Sequence, residues 1–133
     1  MLVLKDARVV TVAGRTLERG TVLVEDGKIA ACGADVAVPA GAEVLDLTGK
    51  WLTPGLIDAH THISTFNEPN TLPGQIDGNE KTDPVTAQVR GIDALNPFDM
   101  AIEEARRAGF TTCYTGPGSA NVIGGTGISF KTK

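Results

Sequence analysis

At 133 residues, with 41% apolar and 21% charged side chains, the chain has about the size of one ordinary domain and the composition of a soluble globular protein. A net charge of −4, with no run of lysines and arginines, argues against a general nucleic-acid or membrane-surface partner. No stretch approaches the ~20 apolar residues of a membrane span, and Lys5-Asp6 put charge where a signal peptide needs an apolar run, so a cytoplasmic protein is expected.

The first fifty residues read as short strands separated by turns. Leu2–Val12 is rich in β-branched residues and breaks at Ala13-Gly14. Thr21–Glu25 and Lys28–Cys32 flank Asp26-Gly27, a pair favoured in two-residue hairpins because both turn positions need positive φ. Val36–Pro39 and Ala42–Asp46 continue the pattern, and Thr48-Gly49 turns the chain before Trp51. This spacing predicts a small β-sandwich over 1–53. Cys32 and Cys113 lack C-x-x-C context and read as small buried hydrophobes.

The character changes at Pro54. Leu56–His62 reads as a strand whose Leu-Ile start predicts burial on both faces, as in a parallel sheet. A polar, turn-rich stretch follows from Ser64 to about Asn96, long enough to be a lid, with room for a short helical turn within Pro84–Leu95. Asn96 is the expected N-cap of a helix, with Pro97 at its first position and Asp99 in its positive first turn. Phe98, Ile102, Ala105 and Ala108 make its apolar face, and Gly109 is its natural C′ residue. Phe110–Thr115 is a second strand. Strand, loop, helix and strand make a βαβ unit, which predicts parallel strands.

The first of these strands ends in Asp58-Ala59-His60-Thr61-His62. Alternation puts Asp58, His60 and His62 on one face, with the two imidazoles about 6.6 Å apart along the backbone. That spacing lets both converge on one metal ion, and they are the only histidines in the chain. Such a pair also arises by chance, but its place at a strand's carboxyl end is where open α/β sheets and barrels carry their chemistry. Asp58 reads either as a neighbour supporting the histidines or as a carboxylate bonded to backbone. The glycine-rich stretch Gly116–Gly127 fits neither G-x-G-x-x-G nor G-x-x-x-x-G-K-[ST], so it is not a phosphate loop. Its glycines serve either close approach to substrate or plain turn chemistry. Arg90, Ser119 and Asn121 are candidate substrate contacts, Arg90 also reading as a solvated loop charge.

P-G-L-I-D-A-H-T-H resembles the signature of the amidohydrolase superfamily, in which a small β-sandwich precedes a metal-bearing (β/α)8 barrel. V-E-D-G-K-I-A and L-D-L-T-G-K-W-L-T-P-G look like that family's entry into the barrel. A-G-F-T-T-C-Y-T-G-P-G-S-A-N looks like the second barrel strand of its imidazolonepropionase-related branch. The resemblance implies a partial sandwich over 1–53 and, over 54–133, the first βαβ unit of a TIM-like barrel with 64–96 as lid. It makes His60 and His62 the first two ligands of a divalent ion, zinc first, with iron or manganese as alternatives. It implies a hydrolase that attacks a non-peptide C–N bond of a small molecule, a cyclic amide or imidazolone-like ring, with metal-activated water.

In that family the remaining ligands and the general base lie on later strands, and no histidine follows His62. No catalytic residue is identifiable in these 133 residues. The expectation is the N-terminal part of a longer enzyme, inactive by itself, with an exposed sheet edge that calls for a partner, another copy of the chain. The alternative is a non-catalytic binding or assembly module that keeps the sandwich and the first barrel unit.

Overall fold

The computed structural model describes residues 1–69 and 78–133. It divides into two compact units, Met1–Pro54 and Gly55–Lys133.

The first unit is one mixed sheet. Its strands are β1 (Leu2–Val9), β2 (Leu17–Glu25), β3 (Lys28–Gly33), β4 (Glu43–Asp46) and β5 (Trp51–Leu52). β1 lies at the centre, antiparallel to β2 and parallel to β4 and, further along, to β5. The hairpin predicted at Asp26-Gly27 joins β2 to β3, with both residues at positive φ and Glu25 opposite Lys28. Ala7, Val9 and Val22 form the core, flanked by Leu4, Leu17, Val24, Leu47 and Leu52. Within Met1–Pro54 all five strands join one sheet, because β4 and β5 extend β1's own ladder. A second sandwich layer, suggested by the strand spacing, is not formed by these residues, whereas a partial sandwich over 1–53 calls for one sheet only. Val36–Pro39 forms no strand, consistent with a proline that has no N–H to offer a ladder. β1 also ends sooner than expected, since Val12 is left-handed and exposed.

The second unit contains β6 (Leu56–Thr61), α1 (Gly91–Ala94), α2 (Met100–Arg107), β7 (Phe110–Thr115) and β8 (Ile128–Lys131). β6 and β7 pair in parallel, as a βαβ unit requires, with α2 between them in the chain. β8 adds to β7 antiparallel, a strand not anticipated in the glycine-rich tail. Its Ile-Ser-Phe-Lys alternation was the available signal, four residues long.

The helix begins later than its punctuation suggested. Asn96 forms an Asx turn, its Oδ1 accepting from the Phe98 N–H at 3.0 Å, and Asp99 takes the N-cap by accepting from the Ala101 N–H at 3.0 Å. Phe98 therefore precedes the helix and is 90% exposed, while Ala101 takes the buried position. Gly109 follows the helix at φ 93°, as expected of a C′ residue. The short helical turn expected within Pro84–Leu95 is α1.

The burial predicted for Leu56 and Ile57 is not found. Ile57 is 70% exposed and Leu56 48%, because among the described residues nothing covers these side chains on the faces of the three-stranded sheet. No helix among the described residues is long and apolar enough to cross a membrane.

The two cysteines differ. Cys113 is 1% exposed and Cys32 is exposed, so only one fits the buried reading. Burial, then the negative charge of Asp58, pushes the Cys113 thiol above its ordinary pKa. A thiol whose folded pKa is raised contributes stability below its unfolded pKa and loses it as pH rises through the folded value. Alkylation of the native chain at mildly alkaline pH should therefore modify Cys32 alone, and denaturant should release Cys113. Equal labelling of both in the native chain would contradict this packing.

Candidate metal centre

His60 lies near the end of β6, and His62 follows the strand's last residue. Their ring centroids stand 5.5 Å apart, edge to face. One ion bound at about 2.0–2.1 Å from a nitrogen of each ring would hold the centroids about 5 Å apart. The centroid separation therefore matches that of two rings sharing an ion. The Gly116 carbonyl oxygen lies 2.9 Å from His62 Nδ1. A carbonyl only accepts, so the Nδ1 proton is on this nitrogen and Nε2 keeps the lone pair that a metal needs.

The backbone around His62 is tightly held. Its carbonyl accepts from the Thr65 N–H (3.2 Å), the Phe66 N–H (2.9 Å) and the Thr65 hydroxyl (2.8 Å). Thr115, fully buried on β7, donates its hydroxyl to the Ile63 carbonyl at 2.7 Å. The His62 ring also packs on Phe66 at 5.4 Å between centroids. Asp58 accepts from the His60 backbone N–H at 3.1 Å, so its hydrogen bond to that residue runs through the main chain and not the imidazole.

Both histidines line a cleft of about 390 Å³ together with Tyr114, Gly116, Ser119 and Asn121. Ser119 and Asn121 are thus brought to the histidines as candidate contacts. The Asn121 amide, however, is engaged, donating to the Asp83 carbonyl at 2.9 Å. Arg90 is not brought there; it pairs with Asp93 at 3.2 Å, exposed, and lines a different cleft. Tyr114 and the Gly116 carbonyl were missed by reading the sequence. The β7 alternation could have found the tyrosine, but nothing local marks a carbonyl as a histidine partner.

The glycine-rich stretch packs against the candidate lid. The Thr126 N–H donates to the Val89 carbonyl (2.9 Å), the Gly91 N–H to Thr126 (2.7 Å) and the Thr86 N–H to Ile123 (2.8 Å). A Cβ on Gly125 would overlap the Val89 carbonyl oxygen, and one on Gly91 would stand 2.9 Å from the Thr126 oxygen. These two glycines let one loop approach another. Of the expected lid 64–96, residues 70–77 lie outside the described residues.

Among the described residues no group of three or more His, Cys, Asp or Glu is placed to hold an ion. The histidine pair supplies two donors, where a catalytic zinc site usually has three protein ligands.

No protein-family model matches the chain. It is 37% identical over 115 residues to the amidohydrolase tasK of Hapsidospora irregularis, covering 86% of this chain and 11% of that protein. It is 35% identical over 130 residues to a dihydroorotase of Pelotomaculum thermopropionicum, covering 97% of this chain and 25% of the relative. Shorter stretches match proteins named imidazolonepropionase and adenine deaminase. The solved structure of an amidohydrolase from Thermotoga maritima MSB8 superposes on the whole chain with a TM-score of 0.90 and 43% identity, the match covering 34% of that structure. The chain thus spans between about a tenth and a third of the length of these relatives. On these likenesses it belongs to the amidohydrolase superfamily.

Proposed function

We propose that this chain is the metal-binding start of a hydrolase that cleaves a non-peptide C–N bond in a cyclic amide or imidazolone-like substrate. The observation that carries the reading is the His60–His62 pair at the end of β6, with the His62 Nδ1 proton committed to Gly116. The unit β6–α2–β7 is read as the first βαβ unit of a (β/α)8 barrel, and the Met1–Pro54 sheet as part of the sandwich that accompanies it. The likeness to the Thermotoga maritima structure supports both assignments. The relatives' names, imidazolonepropionase, dihydroorotase and adenine deaminase, all refer to nitrogen heterocycles, which supports the substrate class.

His60 and His62 would hold the ion through ring nitrogens, His62 through Nε2. A bound divalent ion supplies a Lewis acid and lowers the pKa of a bound water toward 7. Zinc suits two neutral imidazoles, and iron or manganese also accept nitrogen ligands. The chain's own contribution is orientation. The Gly116 carbonyl sets the His62 tautomer, and Thr65 and Thr115 hold the backbone that carries the ring. Paired loops from 83–91 and 121–126 stand beside the cleft that would receive the ring substrate. With two ligands, and no third His, Cys, Asp or Glu grouped with them among the described residues, the 133 residues alone are expected to show no turnover.

The test is metal analysis and turnover of the full-length protein carrying this sequence, assayed on ring amides and ring amidines. A stoichiometric divalent metal and hydrolysis that stops on chelation and returns with zinc, iron or manganese are expected. A metal-free protein that turns over these substrates, or a metal-loaded one that turns over none, sinks the proposal.

A further inference from the structure

We infer that Asp99 is a positioning residue for the metal-binding histidines, acting on His62 through the turn at Ser64; the inference rests on the metal reading above. Asp99 caps α2 but does more than a cap requires. Its Oδ1 accepts from the Ala101 N–H and from the Glu68 N–H, each at 3.0 Å, and its Oδ2 accepts from the Ser64 N–H at 2.6 Å. The carboxylate is only 4% exposed. Two of its three partners lie 31 and 35 residues earlier in the chain, on the segment that leaves β6. A short, charge-assisted bond of this kind is stronger than a neutral one.

Ser64 needs an anchor. It stands at φ +74°, a conformation that a serine adopts only where its surroundings impose it. It is fully buried, its hydroxyl donates to the Asn96 carbonyl at 2.8 Å, and its own carbonyl accepts from the Asn96 N–H at 2.9 Å. Asn96 and Asp99 therefore grip Ser64 from the lead-in to α2. The gripped residue is two positions after His62, inside the turn whose N–H groups converge on the His62 carbonyl. Freeing Ser64 lets this turn relax, and with it the angle at which His62 meets Gly116. Helix capping alone would use the Ala101 contact and leave the Ser64 and Glu68 contacts unexplained.

Asp99→Asn separates the two roles. The amide keeps one acceptor oxygen for the cap and presents N–H donors where the Ser64 N–H seeks an acceptor. The readouts, taken on the 133-residue chain, are the imidazole nitrogen resonances of His60 and His62 and their response to added zinc. The wild type should show His62 protonated at Nδ1, and the variant should show mixed tautomers. Zinc half-saturation should rise about tenfold, the scale of losses when a group that orients a metal ligand is removed. Ala101→Gly, which weakens α2 without touching Ser64, should leave the tautomer and zinc response at wild-type values. An Asp99→Asn chain that keeps both at wild-type values overturns the inference. If the variant does not fold, amide exchange of the wild type decides. Ser64 and Glu68 protected together with Ala101 supports the clamp, and rapid exchange at Ser64 overturns it. If wild-type zinc moves neither histidine, the metal reading fails, while the tautomer comparison still judges what Asp99 does to His62.

Discussion

Alanine at His60 or His62, in the full-length protein that carries this sequence, is expected to strip the metal and lower turnover by at least about a hundredfold. Either change leaves this chain with one imidazole donor, where a catalytic zinc site usually draws on three protein ligands. The two variants should differ in stability. His60 is exposed at the end of β6, so its loss removes a ligand and little packing. His62 packs on Phe66 and bonds Gly116, so its alanine variant should also melt lower. Metal content by elemental analysis, steady-state turnover and thermal melts separate these effects. Wild-type metal content and turnover in both variants would remove the histidines from the mechanism.

Valine at Gly125 is expected to cost about 2–5 kcal/mol, combining about 1–3 for a left-handed β-branched residue with about 1 for each of the one or two loop–loop hydrogen bonds that part, Thr126 N–H to Val89 and Gly91 N–H to Thr126. Gly125 sits at φ +95°, and any Cβ there meets the Val89 carbonyl oxygen. That oxygen is the acceptor of the Thr126 N–H, so the side chain cannot be placed without parting the two loops. In a unit of this size the loss corresponds to a melting-point drop of about 8–40 °C. Gly14, with nothing within 4 Å of its would-be Cβ, provides the control, and alanine there should shift stability by less than about 0.5 kcal/mol. Similar melts for the two variants would mean that the glycine-rich stretch does not pack on 83–91 as described.

The glycines show where reading a sequence stops. Their number in 116–127 left two readings open, close approach to substrate and plain turn chemistry. The partner turned out to be main chain about 36 residues earlier, brought close by folding. The helix start shows the same limit on a shorter scale. Asn96-Pro97 is good helix-opening chemistry, yet Asn96 is held by Ser64 and Asn67, so the cap passes to Asp99. Ile57 is the reverse case. Its apolar character was read correctly, but burial depends on a layer packed over the strand's face, and among the described residues nothing covers Ile57.

By itself the sequence determined what arises within a few residues: the Asp26-Gly27 hairpin, the parallel pair β6 and β7 around a helix, and two histidines one residue apart at a strand end. Those features depend on backbone preferences and on alternation with period two, which neighbouring residues encode directly. Only the tertiary structure decided which nitrogen of His62 is free and which carboxylate holds the turn behind it. Those answers depend on contacts 54 and 35 residues apart in the chain. No local periodicity specifies such contacts, because they form only when packing brings distant backbone groups within hydrogen-bonding range.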